Sequence, residues 1–365
     1  MAKTKIQGLE WDFVSLFSEV IRSLPERPMM KRSYIYASEL GGDYCSRYLK
    51  MHAHPYSNPF NDRARRKMIS GQIFEWIVYL ILSMTGLLKQ KQLKGVVELP
   101  GMLHVSGKLD FVVGGEVVDW EAVRQEVKTI QRLFALSFSD MPPVIEHSVE
   151  KIIDRMEMMF SRVLLREYVF ECKSVSTFVY ALIEKSGKAR QGHPLQTLHY
   201  LLANRIPEGF VGYINRDSFE YQQCHVLHND KQLVKAYHDD VRTMTEYYNA
   251  SGKNYLKNMP PKAPEVMFEE ASFRFVKSNH AEYSQYLEFL YGIKSIDDFK
   301  AKWDKPIASY NRTFKRCVTG ANMTNINKEV IAEAKKMFPD WDKYVAQAKA
   351  AGAFDKPENE DDEQG

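Results

Sequence analysis

The chain has 365 residues, 44% of them hydrophobic and 27% charged, with a formal net charge of +3. That balance does not suggest disorder and is ordinary for a soluble globular protein. The small net charge neither requires nor excludes a polyanionic partner, because nucleic-acid binding depends on local basic patches rather than on the total.

The amino terminus, MAKTKIQGLEWDF, lacks the basic start, apolar stretch and small-residue cleavage site of a secretory signal. The longest apolar run, WIVYLILSMTGLL, is short of a membrane span. A soluble cytoplasmic protein with no membrane partner is expected. Cys45, Cys172, Cys224 and Cys317 form no CxxC pair, so reduced thiols are expected rather than a zinc knuckle or a disulfide framework.

In chain order, EWDFVSLFSEVIRSL and SELGGDYCSRYLKMH place apolar residues three or four apart, as helices do. A longer helix is predicted from about Asn61 to Met84. Its opening, NDRARRKMIS, is polar and basic, and its later part, GQIFEWIVYLILSM, is apolar enough to be buried. KQLKGVVEL and MLHVSGKLDFVVGG read as two strands meeting in a hairpin, with VVDW a short extension. From Trp120 the residues Trp120, Val123, Val127, Ile130 and Phe134 recur at helical spacing, and a second helical stretch follows SDMPPVIEH. Extended structure returns at YVFECKSVS, followed by the loop KSGKARQGH, a helix in PLQTLHYLLANR and strands in GFVGYINR and FEYQQCHVL.

After a helix in DKQLVKAYHDDVRTMTEYYN, the proline-rich NMPPKAPEV suits a boundary. The expected organisation is an α/β domain over 1–257, a mostly helical accessory region over 258–350, and an acidic tail over 351–365 that should be disordered.

The chemistry concentrates on YVFECKSVS. Residues two apart in a strand face the same way, so Glu171 and Lys173 project together while Cys172 points to the other face. Alone, such a pair reads as a strand-surface ion pair. Asp110, set among apolar residues in SGKLDFVV, and Glu75, within the most apolar helix, are further carboxylates in apolar surroundings. Two or three carboxylates beside a lysine suit phosphodiester hydrolysis. Hard oxygen ligands hold Mg2+ or Mn2+, and the lysine orients the attacking water or stabilises developing negative charge.

Four elements in order give the chain its family likeness: Gly71-x-x-x-Glu75, GKLDFVV with Asp110, Glu171-Cys172-Lys173, and Gln196-x-x-x-Tyr200. This pattern resembles the PD-(D/E)XK nuclease superfamily, and more closely its RecB-like exonuclease branch, in which a QxxxY helix follows the ExK strand. The resemblance implies a restriction-endonuclease-like core, a central mixed sheet flanked by helices, here with a helical insertion over about 120–165. It implies Asp110 and Glu171 as metal ligands joined by the Cys172 carbonyl, Lys173 as the catalytic lysine, and Gln196 and Tyr200 lining the site or holding DNA. Glu75 stands where many relatives carry a histidine ligand. Some relatives hold an iron-sulfur cluster through closely spaced cysteines, and their absence here implies none.

A second ExK, Glu126 and Lys128 in RQEVKTI, lies on the predicted helical stripe, where residues two apart do not face each other. Arg63, Arg65, Arg66 and Lys67, and then Lys185, Lys188 and Arg190, form two basic clusters near the motif elements and are candidates for phosphate contacts or for a solvated basic face. Tyr34, Tyr36 and Tyr44 are candidates for stacking on unpaired bases.

The expected function is a metal-dependent DNA nuclease, an exonuclease or end-processing enzyme of replication, recombination or repair acting on DNA ends or single-stranded regions. In a phage-encoded version it would work in the host cytoplasm. The chain has no GxxxxGK[ST] motor motif, so strand separation would come from a partner helicase or recombination protein. The alternatives are a catalytically silent nuclease fold used for nucleic-acid binding or assembly, and an RNA endonuclease.

Overall fold

The computed structural model describes residues 4–6, 9–11, 19, 29–59, 62–84, 87–114, 119–138, 151, 153–155, 157–158, 166–190, 192–270, 272–320 and 328–354. The chain divides into two units: Met1–Gly42, Arg47–His54 and Phe60–Pro260 form one, and Asp43–Ser46, Pro55–Pro59 and Pro261–Gly365 the other.

The first unit begins with a short antiparallel pair, β1 (Thr4–Ile6) and β2 (Leu9–Trp11). Glu10 and Trp11 are therefore extended rather than the start of the predicted helix, most of which lies outside the described residues. The next helical stretch is shorter than its periodicity suggests. Gly41 adopts a left-handed φ of 69°, and the helix proper, α1 (Tyr44–Met51), starts after it.

Helix α2 (Asp62–Met84) has the predicted extent, but its apolar half is not buried as expected. Only the row of Phe74 and Val78 enters a core, whereas Ile73 and Trp76 are each 52% exposed and Ile81 49%. One helix face can lie on a sheet at a time, and residues three or four apart share that face.

After β4 (Leu88–Lys91), the segment read as a two-stranded hairpin contains three strands: β5 (Lys94–Val97), β6 (Val105–Lys108) and β7 (Phe111–Val113), of which β5 and β6 pair antiparallel. Its second half breaks at Leu109–Asp110, so that β6 and β7 enter different sheets. Together with β3 (Ile35–Tyr36), β6 and β5 form a three-stranded sheet in the order β3-β6-β5. The VVDW extension lies outside the described residues up to Asp119. From there α3 (Trp120–Phe138) follows the predicted stripe, with Trp120, Val123 and Val127 buried.

Strand β8 (Tyr168–Val175) is central to the main sheet, whose order is β10-β9-β8-β7-β4, with β9 (Glu208–Asn215) and β10 (Tyr221–Leu227). β8 and β9 run parallel and the other neighbours antiparallel, so the sheet is mixed. Helix α4 (Thr177–Ser186), not anticipated from the sequence, buries Tyr180 and Ile183 and ends on Gly187 at φ 62°. Helix α5 (Gly192–Asn204) is buried continuously from Leu195 to Leu201, as expected of a helix covered on all sides. Helix α6 (Lys231–Ala250) is capped by Asp230, whose side chain accepts from the Gln232 and Leu233 amides. The result is a mixed α/β fold with a mixed sheet flanked by helices.

The second unit includes, besides its helices, the antiparallel hairpin of β11 (Val266–Glu269) and β12 (Arg274–Lys277). Two short helices, α7 (Asn279–Glu282) and α8 (Leu287–Tyr291), lead to α9 (Ile296–Thr319), α10 (Lys328–Met337) and α11 (Trp341–Ala350). Its core is aromatic: the Phe275 ring stacks on Trp341 at 5.1 Å and meets Phe314 edge-on at 5.5 Å. The acidic tail from residue 355 lies outside the described residues. No helix among the described residues is long and apolar enough to cross a membrane.

Candidate active site

Strand β8 separates two environments by simple alternation. Tyr168, Phe170 and Cys172 join the cluster around Phe74, Val78, Phe111 and Ile214, on the side of α2. Val169, Glu171 and Lys173 project from the opposite face. Glu171 is 1% exposed, and its Oε1 accepts a hydrogen bond from the Lys173 ammonium at 2.6 Å. The other oxygen, Oε2, is buried with no hydrogen-bond partner among the described residues. An acceptor left in that state costs about 1–3 kcal/mol, more for a charged group.

Asp110 occupies the position where the β7–β8 ladder stops. The last pair is Phe111 with Phe170, and beyond it the Asp110 side chain supplies the missing acceptor: Oδ2 takes the Cys172 amide at 2.8 Å. A strand residue's N–H and C=O point to the same edge, so the Cys172 carbonyl is also directed to the side where Asp110 stands. The Asp110 carbonyl accepts from the Gln92 amide at 3.0 Å. Gln92 sits in the tight β4–β5 connection at φ 53°, and its side chain donates to Glu75 Oε1. Gln92 therefore ties Glu75 on α2 to the Asp110 turn by one residue's backbone and side chain.

The four charged groups form one electrostatic unit. Burial and then the Glu171 charge push the Asp110 carboxyl well above the usual range, with Glu75 adding to the rise; Lys173 and the Cys172 amide act in the opposite direction. Burial likewise raises Glu171, against the pull of Lys173, and Glu75 again raises it. For Lys173, burial disfavours the ammonium, but the Glu171 and Asp110 carboxylates outweigh it and raise its pKa. The lysine stays charged between two carboxyls that resist ionisation.

Gln196 and Tyr200 belong to the same assembly but do not face solvent: they are 6% and 2% exposed. The Gln196 amide donates to the Tyr200 hydroxyl at 3.3 Å, and that hydroxyl donates to the Lys108 carbonyl at 2.8 Å. Gly107 admits this contact, since a Cβ there would lie 2.8 Å from the Tyr200 hydroxyl and 2.7 Å from the Ala37 Cβ. The QxxxY pair thus holds the end of β6, two residues before Asp110.

The basic candidates are at the surface. Arg66 and Lys67 are exposed on the first turns of α2, Lys185 is exposed on the last turn of α4, and Lys188 and Arg190 are exposed after it. Gly71 of α2 stands against Ser174, its Cβ position 3.8 Å from the serine hydroxyl, which brings that helix to the end of β8 that carries Lys173. The Arg63 side chain lies outside the described residues. The second ExK is helical, with Val127 buried and Lys128 exposed on α3; the Glu126 side chain lies outside the described residues. Tyr34 and Tyr36 meet edge-on at 5.1 Å, with the Arg32 guanidinium 4.2 Å over the Tyr36 ring.

No family model matches the chain, and no curated protein matches it. Among solved structures, the crystal structure of SSO0001 is 11% identical, with a TM-score of 0.36 over 69% of this chain and 98% of that one. The alkaline exonuclease LHK-Exo from Laribacter hongkongensis is 12% identical, with a TM-score of 0.33 over 62% of this chain and 93% of that one. Its complex with dAMP gives the same identity and TM-score. Likenesses this distant assign no role to any residue, and the chemistry has to be read from the site.

Among the described residues no group of three or more His, Cys, Asp and Glu side chains is arranged to hold a metal ion. Mg2+, however, keeps several waters and takes only one or two carboxylates from a protein. Asp110 and Glu171 are such a pair, and the unpartnered Glu171 Oε2 is a hard acceptor suited to a cation. The donor set fits a small divalent metal.

Three site residues carry no sequence signal of their own. Gln92 is found only through its left-handed backbone and its two partners. His193 and Tyr213 lie outside the four sequence elements and meet only in the folded chain, where His193 Nδ1 and the Tyr213 hydroxyl are 2.8 Å apart.

Proposed function

We propose that the chain is a metal-dependent DNA nuclease of PD-(D/E)XK type, an exonuclease or end-processing enzyme of replication, recombination or repair. The observation that supports this most is Glu171. It is a carboxylate with one oxygen on Lys173 and the other buried without a partner, beside an Asp110 that replaces a ladder carbonyl.

In this reading Asp110, Glu171 and the Cys172 carbonyl would hold Mg2+ or Mn2+, and Glu75 stands behind them through Gln92. A metal held there would lower the pKa of a water and offset charge on the phosphate. Lys173, held protonated between carboxyls, orients the attacking water or stabilises the negative charge that builds on the phosphoryl oxygens. Gln196 and Tyr200 position the Asp110 turn from below, a role their burial supports better than direct DNA contact. Arg66, Lys188 and Arg190 are the phosphate contacts.

Labelled single- and double-stranded DNA incubated with Mg2+ or Mn2+ tests this. Wild type is expected to cut, while Lys173→Ala and Glu171→Ala do not. Inactivation by Glu126→Ala/Lys128→Ala, with those two variants still active, would place the motif elsewhere. Competition with labelled RNA separates DNA from RNA as substrate.

The close Lys173–Glu171 ion pair is also compatible with a second reading, a catalytically silent nucleic-acid-binding fold. Metal-independent DNA binding with no cleavage under any divalent ion is its signature.

A further inference from the structure

The loop between α4 and α5 carries Lys188 and Arg190, and the nuclease reading needs those cations aimed at DNA. Exposed loop side chains seldom hold one place, since ordering a long side chain costs up to about 2 kcal/mol of rotamer freedom. This loop is anchored at the residue that matters. The Arg190 backbone amide donates to the Tyr213 hydroxyl at 3.0 Å. The same hydroxyl lies 2.8 Å from His193 Nδ1, to which it donates when the ring carries its proton on Nε2. His193 stands in the first turn of α5, the helix that carries Gln196 and Tyr200.

Tyr213 is fully buried on β9, and the parallel register aligns it with Lys173 on β8. Neighbours in register project to the same face, so the hydroxyl that anchors the Arg190 loop rises beside the lysine of the ExK pair. The surroundings keep the relay in one protonation state. Burial, then the charges of Lys173 and Arg190, push His193 down to about 3, so the ring stays neutral and keeps one nitrogen that can accept. Burial pushes the Tyr213 phenol up to about 12, so it remains a donor.

We infer that Tyr213, with His193, is a positioning device that fixes Arg190 relative to Lys173, so that a phosphate held by the loop arrives in register with the ExK strand. The inference rests on the nuclease reading for its ligand, a nucleic-acid phosphate, and adds a pair of residues that the sequence motifs do not contain. Neither residue touches the substrate in this scheme; both act through the Arg190 backbone and the start of α5.

Tyr213→Phe removes one oxygen from a buried ring, and three measurements follow its effect. Amide exchange is expected to quicken at Arg190 while α5 beyond Leu195 keeps its protection. Binding of a fluorescein-labelled oligonucleotide, with Ca2+ in place of Mg2+, is expected to weaken, and its log–log salt slope to fall by about 0.7–0.9, one phosphate contact. Arg190→Ala is expected to give the same loss, and the double variant Tyr213→Phe/Arg190→Ala no more than either alone.

Additive losses, or a wild-type salt slope in Tyr213→Phe, overturn the inference. If Tyr213→Phe melts below the assay temperature, His193→Ala cuts the other side of the relay and must show the same non-additivity with Arg190→Ala. A chain that binds no oligonucleotide at any salt overturns the nuclease reading and this inference with it. Binding that needs Arg190 but ignores Tyr213 and His193 overturns the inference alone.

Discussion

At the scale of single residues, the site is held in an unfavourable electrostatic state. Asp110 and Glu171 both keep their protons to higher pH in the folded chain than in the unfolded one. The folded state therefore binds more protons across that window, and these two groups make stability fall as pH rises from about 4, the ordinary carboxylate range, through their raised values. Asp110→Asn removes one of the two charges while leaving an amide oxygen to accept the Cys172 N–H. It is expected to abolish cleavage yet raise the melting temperature at neutral pH, by about 2–4 °C for each kcal/mol released, and to flatten the loss of stability above pH 4. Mg2+ is expected to raise the melting temperature of wild type, worth about 2.7 kcal/mol at a hundredfold excess over Kd, and to leave Asp110→Asn unmoved. Thermal melts across pH, with and without Mg2+, check all of this; a less stable Asp110→Asn would mean that the carboxylate is structural. The juxtaposition of Glu171 and Lys173 was legible in the sequence because a strand's two-residue period needs no tertiary information. The part played by Gln92 was not, since it depends on a left-handed turn and on partners 17 and 18 positions away.

At the scale of elements, the decisive feature is that one predicted strand is really two. The stretch MLHVSGKLDFVVGG is extended on both sides of Leu109–Asp110, and β-propensity alone does not reveal that β6 and β7 part company there. The parting is what frees Asp110 from a ladder and lets it cap the end of β8. Helix α5 controls the position of that break, because Tyr200 donates to the Lys108 carbonyl and Gly107 leaves room for the ring. Tyr200→Phe keeps the ring but leaves that carbonyl without the tyrosine's hydrogen bond, which is expected to cost about 1–3 kcal/mol of stability. Since the hydroxyl holds the turn rather than the substrate, kcat is expected to fall at least tenfold with KM nearly unchanged, read by steady-state kinetics beside a denaturant melt. A raised KM with unchanged kcat would instead put Tyr200 in direct contact with DNA. The same non-local logic explains two elements misjudged from sequence. Helix α4 is hidden by its β-branched and aromatic residues until Ser176 before it and Gly187 after it are recognised as its ends. The apolar half of α2 is only partly covered because a sheet surface accepts one helical stripe.

At the scale of the molecule, the proline-rich NMPPKAPEV contains Pro260 and Pro261, between which the two units divide. What the sequence does not reveal is that Asp43–Ser46 and Pro55–Pro59 join the second unit from far upstream. Among the contacts that join Pro55–Pro59 to it, those of Asn58 are specific. The Asn58 side chain donates to the Lys294 carbonyl at 2.7 Å and accepts from the Glu288 amide at 2.8 Å, pairings over two hundred residues apart that no local pattern encodes. Each unit has its own core, the second built on Phe275, Phe314 and Trp341, and separate cores unfold as separate cooperative events unless an interface couples them. Phe275→Ala is expected to cost about 3–5 kcal/mol, the range for deleting a fully buried aromatic side chain. Differential scanning calorimetry is expected to show two transitions in wild type, with only one lowered in this variant. Mg2+ supplies the internal control, because the Asp110–Glu171 pair belongs to the first unit: the ion should raise the transition that Phe275→Ala leaves alone. A single transition that moves with both perturbations would mean that the two cores stand or fall together, and that the accessory unit contributes to the stability of the site.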